Sequence, residues 1–150
     1  MKHTTFKQPL LKLLALVVLC IAVFGFTANR GLDRYEIYLN NKLILKQAVN
    51  DPLVLRKLQL DKADENDRLR IVYIHCTNKG IGTGRSIVIK DEKGDVLKKW
   101  TFKDDEKNME ISVKELLQVE KQHQGSDLSL RYVAKELYEP EMLLASVRFK

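Results

Sequence analysis

Disulfide bonding is the first thing this chain lacks. Of its two cysteines, Cys20 lies in an N-terminal apolar run and Cys76 stands alone in the body. A lone thiol closes no internal bridge, so burial must hold the fold. About 120 residues after the N-terminal segment are enough to do so as one domain. Catalytic signatures are missing as well. There is no G-x-S-x-G elbow, no H-E-x-x-H and no C-x-x-C pair, which removes the commonest local signs of hydrolase, metalloprotease and zinc chemistry.

Acidic residues are absent from the first 28 positions, where Lys2, Lys7 and Lys12 precede an uncharged run from Leu13 to Phe26. That layout is a secretory signal. A long apolar span is also lacking: Leu10 to Phe26, forgiving Lys12, gives 17 residues against the roughly 20 that a spanning helix needs. Thr27, Ala28 and Asn29 follow. Residues 1–28 therefore read as a signal peptide, with retention as an N-terminal membrane anchor as the alternative. Leu19 is bulky where a lipoprotein peptidase wants a small residue before Cys20. Export to the periplasm or cell envelope is the expected localisation.

Removing that segment takes three lysines with it. Lys plus Arg falls from 26 to 23 against 20 acids, so the balance drops from +6 to +3. The remaining charges of both signs are interleaved, whereas a nucleic-acid binder clusters its basic residues. The charge pattern gives no nucleic-acid partner.

What is present is alternation. Tyr35, Ile37 and Leu39 share one strand face, Asn40-Asn41 suits a tight turn, and Leu43 to Val49 returns. Leu53 to Leu60 is a third candidate strand. RLRIVYIHC is apolar on both faces, which predicts a central strand buried on both sides. SIVIKDEKGDVLKKWTF reads as a second hairpin turning at Gly94, with Trp100 and Phe102 expected in the core.

Ser112 and Glu115 have capping-box spacing, which predicts a helix running toward Gly125 after a short strand from Met109. LSLRYV and LLASVRFK close the chain as strands, the second with Leu143, Ala145, Val147 and Phe149 on one face. Eight or nine strands at about 8–12-residue spacing with one helix predict an antiparallel β-sandwich over residues 29–150. A doubly wound sheet needs a helix between successive strands.

The stretch HCTNKGIGTGRS, His75 to Ser86, is the one segment that looks like chemistry. Aligned on a P-loop, it has Lys79 where the first glycine belongs and Arg85 for the lysine. As a dinucleotide fingerprint it finds Arg85 at the last glycine. Both motifs also need a following helix, and a β-branched strand follows. A strand connection is the expectation.

On an extended strand His75 and Cys76 face opposite ways, so they share neither a metal nor a proton. DKADENDR (Asp61, Asp64, Glu65, Asp67) lacks the calcium-loop pattern, and KDDEKN reads as a solvated loop. No metal and no cofactor is expected. Arg85 is the first binding candidate and His75 the second.

The segments DRYEIYLNNKLI, RLRIVYIHCTNKG, GRSIVIKDEKGDVLKKW, ISVKELL and LLASVRF resemble short exported β-sandwich proteins of Bacteroidota-type bacteria with no assigned activity. The resemblance spans about residues 33–150 and implies export and fold, with no functional residue to carry over. Two functions follow as expectations. One is a non-catalytic binding or accessory domain of the envelope, its partner a protein or glycan, with membrane contact only through residues 10–26 if uncleaved. The other is a small ligand-binding barrel or hydrolase whose pocket gathers His75, Arg85 and Tyr73.

Overall fold

Nine strands and one helix make up the body of the protein, as described by a computed structural model over residues 32–52, 56–60, 63–76 and 80–149. The signal or anchor segment, residues 53–55 of the third candidate strand, and Asp61 lie outside the described residues. Among the described residues no helix is long and apolar enough to cross a membrane.

The strands are β1 (Arg34–Leu39), β2 (Lys42–Ala48), β3 (Lys57–Gln59), β4 (Arg68–Ile74), β5 (Ser86–Lys90), β6 (Val96–Thr101), β7 (Met109–Ser112), β8 (Leu128–Val133) and β9 (Met142–Arg148); the helix α1 (Val113–Gln122) follows β7 directly. They form two sheets, one ordered β2-β1-β4-β7 and the other β3-β9-β8-β5-β6. This is the mainly β, two-sheet sandwich that the alternation predicts. Among the described residues every pairing is antiparallel except β3 with β9.

The turns follow from their residues. Asn40 and Asn41 hold φ at 47° and 67°, the left-handed pair that matches the twist of a two-residue hairpin. Gly94 at φ 87° closes the β5–β6 hairpin. Both positions tolerate a conformation that most side chains disfavour.

One hydrophobic core joins the inner faces of the two sheets. Tyr35 and Ile37, Leu69 and Ile71, and Met109 and Ile111 come from the first sheet. Ile87, Ile89, Leu128, Leu130 and Tyr132 come from the second, and α1 adds Val113, Leu116 and Val119. The period-2 pattern of each strand produces these faces.

Four expectations need correcting. First, β4 is buried on one face only: Val72 and Ile74 are half-buried. The strand buried on both faces is β5, where Ser86 to Ile89 are all enclosed. Second, Trp100 and Phe102 sit half-buried against the core, because β6 is the edge of its sheet.

Third, Ser112 is the N-cap residue but makes no side-chain cap bond. Glu115 turns instead to β6, accepting from Trp100 Nε1 at 2.7 Å and pairing with Lys98 at 3.1 Å. Fourth, a bulge shifts β9. Leu130 faces Ala145 while Arg131 faces Leu143, so Leu144 is the extra residue. Leu144 and Ala145 are fully buried, and Leu143 is only half-buried.

Candidate functional site

His75 stands at the end of β4, next in line on the inward face after Leu69, Ile71 and Tyr73. Cys76 is half-buried, in keeping with the opposite direction its parity gives it. The inward direction carries His75 to the seam between the sheets, where Asp33, just before β1, meets it. Asp33 Oδ2 lies 3.2 Å from His75 Nδ1 and 3.0 Å from the Tyr73 hydroxyl, and Oδ1 accepts the Cys76 N–H at 2.7 Å.

On the far side of the imidazole, Nε2 is 3.2 Å from the Tyr132 hydroxyl on β8. The chain Asp33–His75–Tyr132 therefore crosses from one sheet to the other.

Charges fix the direction of these bonds. Burial pushes the Asp33 carboxyl upward, but the Cys76 N–H, the Tyr73 hydroxyl and His75 outweigh it and hold the carboxyl below its ordinary 3.8. An ionised carboxylate only accepts, so His75 carries its proton on Nδ1. In the tautomer with Nε2 bare, the Tyr132 hydroxyl donates to that nitrogen. Burial drives the Tyr73 and Tyr132 phenols well above the ordinary range for tyrosine, and Tyr35 rises to about 12.

The three phenols form a stack through the core. Tyr73 and Tyr132 rings are 4.1 Å apart and 18° from parallel, and Tyr35 lies 6.5 Å from Tyr73. Such pairs add about 0.5–1.5 kcal/mol beyond the area they bury. Tyr35 also donates across the seam to the Leu144 carbonyl at the β9 bulge.

An acid, an imidazole and a hydroxyl in sequence is the order used to activate a nucleophile. Here the hydroxyl is a phenol and the line is enclosed: the His75 side chain and the whole of Tyr132 are 0% exposed. Gly82 covers the free side. A β-carbon at that position would meet His75 Nε2 and the Tyr132 oxygen at 2.8 Å each, and Glu136 Oε2 at 3.2 Å. What this line does is hold two sheets in register.

The described part of the glycine-rich stretch leads into β5 of the other sheet, and it is pinned at Thr83 and Gly84. Thr83 donates to both oxygens of Glu136 at 2.8 Å, and its carbonyl accepts from the Lys135 N–H at 3.1 Å. Gly84 N–H donates to Asp104 at 2.7 Å.

Arg85 is 1% exposed, and its guanidinium donates to the Lys103 carbonyl at 2.6 Å and to that of Glu106. Arg85 thus caps the 103–106 turn, and KDDEKN is tied to the glycine loop. The same device appears at Arg56, whose buried guanidinium holds the carbonyls of Leu143, Val49 and Asp51.

The structure therefore brings His75 and Tyr73 together and directs Arg85 to a turn. Asp33, Tyr132, Gly82 and Glu136 complete the seam, and sequence reasoning missed all four as members of it. His75 bonds to residues 42 and 57 positions away, so no local spacing could flag them.

Clefts on the surface of the described residues include two with polar lining side chains. One, of about 290 Å³, is lined by Asn40, Asn41, Asn66, Arg68, Arg70 and Glu110. The other, of about 240 Å³, lies beside Glu120, His123, Asp127, Leu128, Arg148 and Phe149. Neither contains His75 or Arg85. Among the described residues no group of three His, Cys, Asp or Glu side chains is placed to hold a metal ion. Compared with known proteins, the chain matches no family model, no curated protein and no solved structure.

Proposed function

We propose that this protein is a non-catalytic exported β-sandwich that acts as a binding or accessory module of the periplasm or cell envelope. Its partner is an envelope protein or a glycan. It is of a kind with the Bacteroidota-type exported proteins that its sequence resembles. The observation that carries the reading is the fate of the polar groups: Asp33, His75, Tyr132 and Arg85 spend their hydrogen bonds inside the fold. The arginines on the outer face of the four-stranded sheet make no such bonds with described residues.

A pocketed hydrolase at His75 and Arg85 lacks comparable support, because both side chains are packed and partnered. Export is supported by the charge and apolar layout of residues 1–28. Cross-linking in intact cells, followed by fractionation, should recover the protein from the envelope with one reproducible protein or glycan adduct. Recovery from the cytoplasm, or the absence of any adduct over repeated cross-linkers, defeats the reading.

A further inference from the structure

The outer face of the four-stranded sheet carries charge that the fold does not consume. On β4, Arg68 and Arg70 alternate with the buried Leu69 and Ile71. The register sets Arg70 between Tyr38 of β1 and Glu110 of β7. The Arg70 guanidinium carbon lies 4.3 Å over the Tyr38 ring, and its Nε is buried without a hydrogen-bond partner among the described residues. Neither Arg68, Arg70 nor Glu110 forms a side-chain ion pair with any described residue, although Arg70 and Glu110 face each other across the strands.

These three side chains and Asn40, Asn41 and Asn66 line the cleft of about 290 Å³. Its rim is fixed in advance. Asn40 N–H donates to the Arg68 carbonyl at 3.1 Å, and Asn40 Oδ1 accepts from Arg68 N–H at 3.0 Å. The Asn40 amide donates to Asp67, which also accepts the Asp64 N–H at 2.7 Å.

We infer that this cleft binds an acidic sugar of an envelope glycan. Arg68 and Arg70 take its carboxylate or sulfate, and Glu110 with the Asn41 amide and the amide oxygen of Asn66, whose nitrogen donates to Asp64 at 3.1 Å, takes ring hydroxyls. The inference rests on the binding-module reading above and names its ligand class. Guanidinium forks match a planar or tetrahedral oxyanion in two bonds at once. Glu110 is the discriminating residue: a carboxylate in the cleft accepts hydroxyls and repels a dense polyanion, so a single anionic group among hydroxyls fits and a phosphate chain does not. All six lining residues are polar, so a peptide finds no apolar pocket for the anchors that dominate protein interfaces.

The test titrates the full-length protein in detergent micelles by calorimetry. The probes are an oligogalactan carrying one galacturonate, an oligogalactan carrying one sulfate, the neutral oligogalactan and inorganic sulfate. One or both acidic oligosaccharides should bind more tightly than the neutral one and than sulfate alone. Arg70→Gln and Arg68→Gln should each weaken that binding at least about tenfold, the scale of a lost charge-assisted pair. Glu110→Gln should raise the affinity for inorganic sulfate.

Circular dichroism melts matching the parent show that the variants fold; if Arg70→Gln does not, Arg68→Gln carries the test. Equal binding of neutral and acidic sugars overturns the proposal. So do acidic probes that fail to bind, sulfate binding as tightly as the sugars, or arginine variants that bind like the parent. If the sugars fail while cross-linking still yields an envelope partner, the site falls and the broader reading stands. Sugar binding without any envelope adduct keeps the site and removes the broader reading.

Discussion

Gly82 holds φ at 84° with its α-carbon against His75 and Tyr132. Gly80, two residues earlier, has φ 66° and nothing within 4 Å of where a β-carbon would stand. The two positions separate backbone strain from steric conflict. Gly80→Ala should cost about 1–2 kcal/mol, the penalty of a left-handed alanine. Gly82→Ala adds displacement of two buried polar atoms and should cost about 2–5 kcal/mol. Urea unfolding of both variants measures the difference; equal losses would mean that Gly82 does not seal the seam.

The glycines and His75 are visible in the sequence as unusual residues. Their purpose is not, because it depends on Asp33 and Tyr132, which arrive from other strands. Arg85 shows the same limit. A buried arginine looks like a binding residue in one dimension and proves to be a clamp on two carbonyls in three.

At the scale of elements, alternation and turn chemistry carry most of the information. Asn40-Asn41, Gly94 and the period-2 faces of β1 and β8 are legible because each depends on a residue and its immediate neighbours. Bulges are not. An extra residue such as Leu144 reverses the parity of everything beyond it, and only the partner strand reveals where the slip occurs.

The helix start is a third kind of case, where two partners compete for one carboxylate. Glu115 has the spacing to close a capping box, but the Trp100 indole N–H on edge strand β6 takes it. Ser112→Ala should therefore change stability by less than about 0.5 kcal/mol, where a working cap would be worth about 1. Glu115→Ala should expose the indole and shift Trp100 fluorescence to longer wavelength. A large loss from Ser112→Ala with unchanged fluorescence in Glu115→Ala would restore the capping box.

For the molecule as a whole, the seam makes folding depend on protonation. Asp33 titrates below its ordinary 3.8 in the folded state, so it contributes stability that is complete above that value and lost as pH falls through the folded one. Glu136, facing the same imidazole, is also held below its ordinary 4.5, by the Thr83 N–H and hydroxyl against the upward pull of burial. Urea midpoints taken from about pH 6 to about pH 2 should fall in acid. Asp33→Asn should be less stable at the upper end and show a shallower decline, Glu136 supplying part of what remains. Parallel profiles would mean that the carboxylate does not anchor the His75–Tyr132 bridge between the sheets.

The pairing of β3 with β9 has a consequence in time. Lys57 lies beside Ser146, and β9 sits inside its sheet with β3 on one flank and β8 on the other. Residues 57–59 must wait for residues 146–148 before β3 can join the second sheet. A loop that long is slow to shut, so the parallel pair is the late event of this sheet, formed after the hairpin-linked strands have met.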